Sequence, residues 1–167
     1  MSNAIRILGL DPGLRRTGWG VVVIEGARLS WVAHGVIAPR VEASLAERLH
    51  ALFEAACDLV ETYRPHEAAI EETFVSVNAS STLKLGHARA AVMIAPVRSG
   101  VPVSEYAAKE VKKAVVGTGG ADKTQIAFMV QRLLPASGSP VADAADALAV
   151  AITHAQVRKM RRIGDAA

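Results

Sequence analysis

The chain has 167 residues, a length that suits one domain with a single full core. Its composition is 51% hydrophobic and 21% charged, which excludes an intrinsically disordered chain and predicts a soluble globular one. No uninterrupted apolar run approaches the roughly 20 residues that cross a bilayer, and the first residues lack the basic and then apolar pattern of a secretory signal. We therefore predict no membrane span and a cytoplasmic location.

Charge and cysteine usage narrow the choice of partners only slightly. The formal net charge is +3, and an excess of this size is common, so a nucleic-acid partner needs support from particular residues. The single cysteine, Cys57, has no partner for an internal disulfide and falls on the apolar side of a predicted helix. We predict a small buried side chain there rather than a reactive thiol.

The first part of the chain is predicted to form three strands. An apolar run over residues 5–10 stops at the turn sequence Asp11-Pro12-Gly13. Two further runs rich in apolar and β-branched residues, 19–24 and 29–37, are separated by a turn at Glu25-Gly26. Because the connections are short, we predict an antiparallel meander.

A helix follows the meander. Ser44 with Glu47 three positions later is a capping-box pattern, and apolar residues then recur at helical spacing as far as Tyr63. Arg64 should end this helix because the residue before a proline is disfavoured in the α region. Residues 68–70 are predicted to form a short buried strand that ends at Glu71.

The second half of the chain reads as helices around one more strand. We predict a helix over 81–99 closed by Gly100, a strand over 101–106, helices over 107–115 and 123–134 with a glycine-rich turn between them, and a last helix from near Pro140. The order βββαβαβα with extra helices predicts one α/β domain over 1–167, a mixed five-stranded sheet flanked by helices. A ribonuclease H-like fold uses this order, although the halves of actin-like ATPases begin similarly.

Four acidic residues stand where an apolar sequence would not place them by chance. Asp11 and Glu71 each end a buried strand, while Asp143 and Asp146 interrupt the apolar helix segment 142–149. A spacing of three residues puts the two aspartates on one helical face. If the two strands are neighbours and the helix packs over their ends, all four carboxylates meet, at a desolvation cost that a cation would offset.

Such a set of hard oxygen donors predicts Mg²⁺, since there is no Cys/His set at zinc spacing. Two ions about 4 Å apart can activate a water and stabilise the leaving oxygen in phosphodiester hydrolysis. Taken singly, Asp11 has an alternative role as a turn initiator and Asp143 as a helix cap. Glu72 would point away from Glu71 in a strand, and we predict that it is solvated.

Six blocks of the sequence, in order, resemble the bacterial RuvC family of Holliday-junction resolvases (crossover junction endodeoxyribonucleases) over nearly the whole chain. One block alone would be weak, because actin-like ATPases share a sequence similar to the first. The matching stretches are residues 8–13 with 17–20, 69–72, Asn78 with 83–89, 106–108 with 111–112, 115–117, and 142–149.

The resemblance implies a homodimer that nicks two strands of like polarity in a four-way DNA junction during recombination and repair. It implies Mg²⁺ as cofactor, two ions per site with Mn²⁺ as a substitute, and cooperation with the RuvA–RuvB branch-migration complex. Asp11, Glu71, Asp143 and Asp146 fall on the family's catalytic carboxylate positions. Some relatives carry histidine at the position of Asp143, which makes it the most replaceable ligand.

Three further residues match positions that the family places near DNA. Lys112 and Lys123 fall on basic positions beside the scissile phosphate, and Phe74 falls on an aromatic position that stacks on a junction base. Solvated charges are the alternative for the lysines, and core packing is the alternative for Phe74. A basic tail from about residue 158 is either solvated or in contact with phosphate.

The helix over 81–99 is apolar on more than one face, which predicts that it forms the dimer interface. Three other functions stay open on sequence grounds: an actin-like ATPase, a ribonuclease H-like nuclease acting on RNA or RNA–DNA hybrid, and a non-catalytic junction-binding protein. The first normally needs a duplicated domain, and the last gives no reason for four clustered carboxylates.

Overall fold

A computed structural model describes the backbone of residues 4–72 and 77–164 and the side chains of residues 4–72 and 77–160. No helix in this part of the chain is long and apolar enough to span a membrane. The elements, in chain order, are β1 (Ile5–Asp11), β2 (Thr17–Glu25), β3 (Arg28–Ile37), α1 (Leu45–Tyr63), β4 (Glu67–Glu71), α2 (Ala79–Arg98), β5 (Val103–Tyr106), α3 (Ala108–Val116), α4 (Lys123–Leu133), a 3₁₀ turn (Pro135–Ser137) and α5 (Ala142–Gly164).

The strands form one mixed sheet in the order β3-β2-β1-β4-β5. β1, β2 and β3 pair antiparallel as the predicted meander, and β4 and β5 continue the sheet parallel to β1. The predicted fold class is therefore confirmed. The first hairpin is longer than predicted, because the ladder continues until Asp11 pairs with Gly18.

The helix ends follow the local sequence signals. Ser44 and Glu47 form the predicted capping box at the start of α1, and Arg64 ends α1 in the left-handed conformation with φ 45°. The start of α2 differs from the prediction by two residues. The difference arises because Asn78 caps the helix: its side chain accepts a hydrogen bond from the Ser81 amide at 3.1 Å, and the helix starts at Ala79.

Two hydrophobic layers cover the sheet. Leu8, Leu10 and Ile70 pack with α1 and α2 on one face, while Ile7 and Ala69 pack with α3, α4 and α5 on the other. Side chains alternate across each strand, so neighbouring residues of β1 belong to different layers. Cys57, predicted to be buried, is only half-buried at the edge of the first layer.

α5 lies unusually close to β1 and β2 because three glycines face it. A methyl group on Gly9 would overlap the Ala147 carbonyl oxygen, and one on Gly18 would overlap the Asp143 carbonyl oxygen. A methyl group on Gly20 would overlap the Leu148 side chain. Gly9 pairs with Gly20 across the two strands, so the glycines form one shallow groove in the sheet, into which the first turns of α5 pack.

Gly9→Ala should destabilise the fold by about 1–3 kcal/mol, because the added methyl group forces α5 away from the sheet. Gly86→Ala is the matched control. Gly86 lies inside α2 with nothing near its missing side chain, so alanine there should stabilise by about 0.5–1 kcal/mol. Equilibrium unfolding in urea measures both changes. Equal urea midpoints for Gly9→Ala and the wild type would contradict the claim that α5 needs glycine at position 9 to pack this closely on the sheet.

Candidate active site

The ends of β1 and β4 bring two of the predicted carboxylates together. These strands are parallel neighbours with Leu10 opposite Ile70. The next residue in each strand is its last one and is an acid, Asp11 in β1 and Glu71 in β4. Gly9 and Ala69, two residues before these acids, both pack towards α5. Because side chains alternate along a strand, Asp11 and Glu71 share the face that α5 covers.

The first turns of α5 pass over this edge and add a third carboxylate. A cavity of about 280 Å³ is lined by Asp11, Glu71 and Asp146, together with Lys112 from α3 and Lys123 from the start of α4. Its remaining lining is apolar: Ala108, Val111, Ile126 and Ala149. The structure therefore brings three of the four predicted carboxylates and both predicted lysines to one place.

Asp11 is the most perturbed acid of the site. Burial, followed by the charges of Glu71, Asp146 and Asp143, raises the pKa of Asp11 to about 8, although the Lys123 ammonium opposes the shift. Repulsion between like charges in a low-dielectric pocket favours the protonated form. At neutral pH Asp11 is therefore mostly protonated while the cavity holds no cation, and a nearby cation would stabilise its ionised form.

The other two acids of the cavity are shifted in the same direction. Burial and then the Asp146 charge raise the pKa of Glu71, against the opposing charges of Lys112 and Lys123. Burial also raises the pKa of Asp146, and there Lys123 opposes the shift more than Asp143 adds to it. The Lys123 Nζ lies 3.7 Å from Asp146 Oδ2, so one lysine partly neutralises the cavity.

Asp143 lies at the rim of the cavity rather than in it. Its Oδ2 accepts a hydrogen bond of 2.6 Å from Arg16 Nε, and its side chain remains one-third exposed. Arg16 belongs to the β1–β2 loop, which Thr17 pins through hydrogen bonds to both the amide and the carbonyl of Gly13. The predicted meeting of all four carboxylates is thus partial, because an arginine 127 residues away in the sequence engages one of them.

The donor set fits a hard divalent cation. Among the described side chains, no three His, Cys, Asp or Glu groups already stand in the geometry of a metal site. Asp11, Glu71 and Asp146 nevertheless line one cavity, and all three have raised pKa values because their negative charges are buried together. Carboxylate oxygens are the ligands that Mg²⁺ uses in proteins, and an ion among them would remove this repulsion.

A polar network that the sequence pattern did not predict holds α5 on the sheet. His154 of α5 is hydrogen-bonded to the Tyr106 hydroxyl at 2.8 Å and to Glu67 at 2.7 Å, and Arg158 binds the same glutamate at 2.7 Å. Burial opposes ionisation of Glu67, but the hydrogen bonds from Arg158 and His154 outweigh it and lower the pKa of this acid. The one available signal was the four-residue spacing of Glu67 and Glu71, which puts both on one face of β4.

This network also corrects the interpretation of the basic tail. Arg158, predicted to be solvated or in contact with phosphate, is held by Glu67. Lys159 and Met160 are exposed, and the side chains of Arg161 and Arg162 lie outside those described.

Three further residues from the matching sequence blocks and their surroundings differ in what the structure shows of them. Phe74 lies outside the described residues. Glu72 is exposed, as predicted. Arg89, the last residue of the matching stretch 83–89, donates a hydrogen bond of 3.1 Å to the Glu71 carbonyl oxygen and forms an ion pair with Glu105. It thereby ties α2 to the end of the strand that carries Glu71.

The strand order and the helical layers on both faces define a ribonuclease H-like fold, with an acidic cavity at the carboxyl ends of two parallel strands. The family model for "Crossover junction endodeoxyribonuclease RuvC" matches residues 7–154. The chain therefore belongs to the RuvC family, and the resemblance found in its motifs is confirmed.

Individual relatives agree with the family match. The protein of that name from Caulobacter sp. (strain K31) is 64% identical over 158 residues, which cover 95% of this chain and 94% of the relative. Its counterpart from Caulobacter vibrioides is 62% identical over 157 residues, covering 94% and 93%. A solved structure of Thermus thermophilus RuvC in complex with Holliday junction substrate superposes with a TM-score of 0.87 at 33% identity, covering 93% of this chain and 96% of that one.

Asp11→Asn should stabilise the metal-free protein at neutral and mildly alkaline pH. The pKa of Asp11 is about 8 in the folded protein against 3.8 unfolded, so the wild type loses stability as pH rises through this window. The amide removes that loss. We expect no difference between variant and wild type near pH 4 and a gain of about 2–4 kcal/mol at pH 8, measured by urea unfolding in a chelating buffer.

Glu47→Gln is a control of opposite sign. Hydrogen bonds from the side chain and backbone of Ser44 lower the pKa of Glu47, so ionised Glu47 stabilises the fold above its ordinary pKa, and the benefit disappears as pH falls. This variant should be less stable than the wild type at pH 8 and equal to it at low pH. A pH-independent effect of Asp11→Asn would contradict the electrostatic account of the cavity.

Proposed function

We propose that the protein is a structure-specific DNA endonuclease that resolves Holliday junctions by metal-dependent hydrolysis of phosphodiester bonds. Its family membership and its likeness to Thermus thermophilus RuvC in complex with junction substrate support this function. The observation that carries the chemistry is the cavity that Asp11, Glu71 and Asp146, all half-buried, line together with two lysines. A carboxylate cluster with raised pKa values at a sheet edge is suited to holding hard cations.

Each carboxylate has a role that follows from its position. The charges of the other three acids all act on Asp11, so we assign it as the ligand that two ions would share. Glu71 and Asp146, which line the same cavity, would complete the set, and Asp143 would assist from the rim. We propose Mg²⁺ as the physiological ion, with Mn²⁺ as a substitute. When bound, such ions activate a water molecule and stabilise the leaving oxygen.

The lysines bring the opposite charge to the same cavity. Lys112 and Lys123 lie among its lining residues, and both lower the pKa of Glu71 through their charge. We propose that they attract the scissile phosphate and offset the negative charge that gathers there when DNA binds. Phe74 stays a proposed stacking residue for a junction base, on the strength of its motif position alone.

Exposed apolar residues on α2 support the predicted dimer. Leu83, Ile94 and Val97 are 63%, 56% and 57% exposed. Their spacing of eleven and three residues places them along one side of the helix, and His87 and Ala90, at intermediate turns, are exposed as well. A second copy of the chain would cover this stripe and place two cavities in one symmetric assembly, as paired nicking requires. Cooperation with the RuvA–RuvB complex is part of the same proposal.

Asp11→Asn should reduce cleavage of a synthetic four-way junction in Mg²⁺ by about 10³-fold or more, because the shared ligand is lost. Junction binding in a gel shift should persist, since the basic surfaces are untouched. Glu72→Gln, at the neighbouring exposed acid, is the matched control and should cleave normally. The assay includes linear duplex, RNA–DNA hybrid and reactions without Mg²⁺.

The outcomes separate the rival functions. Symmetric nicks confined to the junction support the proposal. Preferred cleavage of the hybrid would instead identify a ribonuclease, and a gel shift without nicking in any metal would identify a binding protein. Normal cleavage by Asp11→Asn would refute the assignment of the site.

Ile94→Glu should convert the protein to a monomer, because it places a charge within the exposed apolar stripe of α2. The control is Phe128→Glu, which adds the same charge at a residue on α4 that is 58% exposed. Light scattering at micromolar concentration should give twice the chain mass for the wild type and the control. A wild-type protein that scatters as a monomer would count against pairing through α2.

A further inference from the structure

A second, strongly basic cavity is lined in part by Arg16, the residue that contacts Asp143. It has a volume of about 550 Å³ and is formed by the β1–β2 loop, α1 and the start of α2. Every charged residue in its lining is a cation, and the lining comprises Gly13, Leu14, Arg15, Arg16, Arg48, Ser81, Lys84 and Leu85. We call this the arginine cavity.

Most of the positive charge of the arginine cavity is not paired with an acid among the described side chains. Arg16 is paired with Asp143, but Arg15, Arg48 and Lys84 form no ion pair with any described side chain. Four cations around one concave surface repel one another and create a positive potential that attracts anions. The cavity is therefore built to receive a negatively charged group.

Arg48 adds an unused donor. Its Nη2 donates a hydrogen bond of 2.9 Å to the Leu14 carbonyl oxygen, which ties α1 to the β1–β2 loop. Its Nε is buried and has no hydrogen-bond partner within the described part of the chain. A buried charged donor without an acceptor is unfavourable, and an anionic oxygen would satisfy it.

The start of α2 favours the same kind of ligand. Ser81 and Lys84, which line the arginine cavity, lie in its first two turns, and the first turn contains no acid. The partial positive charge at a helix N-terminus therefore adds to that of the side chains. Leu14 and Leu85 contribute apolar surface beside the cations.

We propose that the arginine cavity binds a backbone phosphate of the DNA strand that continues past the active site. Arg16 joins the two regions, since it lines the arginine cavity and contacts Asp143 at the rim of the acidic one. Lys112 and Lys123 line the acidic cavity, so both cavities contain cations. Guanidinium groups suit phosphodiester oxygens, and the apolar residues suit a sugar. This inference rests on the proposed function, because that function supplies the DNA.

The test compares the salt dependence of junction binding for Arg15→Gln and Lys84→Gln with that of Arg28→Gln. Arg28 begins β3 at the hairpin with β2, at the end of these strands remote from Asp11, and its substitution removes the same charge. Fluorescence anisotropy with a labelled four-way junction in EDTA, over a series of salt concentrations, gives the slope of log K against log salt. Each lost phosphate contact should reduce that slope by about 0.9.

We expect both cavity variants to bind the junction several-fold more weakly, with the reduced slope, and Arg28→Gln to keep the wild-type slope. The melting temperature of either cavity variant should not fall, since neither Arg15 nor Lys84 forms an ion pair with a described side chain and the cations of the cavity repel one another. Arg48 is not a suitable test because its guanidinium also holds the β1–β2 loop.

Two results would overturn the inference alone. The first is equal slopes for the cavity variants and Arg28→Gln while the wild type still nicks the junction. The second is stabilisation of the wild type by inorganic phosphate, lost in Arg15→Gln, without a change in the DNA slope, which would identify a small-anion site. Failure of the wild type to bind or nick any junction would overturn the proposed function and this inference with it.

Discussion

The close approach of α5 to β1 and β2 is the constraint on which the rest of the structure depends. The approach exists because Gly9, Gly18 and Gly20 leave the helix backbone room against the sheet. Gly18 is also the ladder partner of Asp11, so the helix turn that touches it lies beside the central carboxylate. One steric condition therefore sets both the packing of the second core layer and the position of Asp146.

The far end of α5 is held by a different interaction, and β4 takes part in both. Glu67 at the start of β4 binds His154 and Arg158, while Glu71 at its end lines the acidic cavity. A helix packed at one end by glycine contacts and fixed at the other by hydrogen bonds has little freedom to rotate about its axis. Such supporting contacts hold metal ligands at a defined separation.

The three acids of the cavity destabilise the folded protein when no cation is bound. Burial and mutual repulsion raise the pKa values of Asp11, Glu71 and Asp146, so the metal-free fold carries an unfavourable interaction at neutral pH. Lys123 relieves only part of it, from a position 3.7 Å from Asp146. Functional sites commonly retain interactions of this kind because the ligand or ion that relieves them is thereby bound more tightly. Arg15, Arg48 and Lys84 of the arginine cavity, which form no ion pair with a described side chain, are in the complementary situation towards an anion.

The sequence by itself determined the strands, the capped start of α1 and the acids at the ends of β1 and β4, because periodicity, turn residues and caps act between near neighbours. The three-residue spacing of Asp143 and Asp146 likewise placed both on one face of α5. Only the tertiary structure decided which of these charges meet. Arg16 forms an ion pair with Asp143, 127 residues away in the sequence. Glu67 forms one with Arg158, 91 residues away, and no local sequence pattern encodes such pairings. The arginine cavity could not be predicted from the sequence either, because its cations come from the β1–β2 loop, α1 and α2, which only tertiary packing brings together.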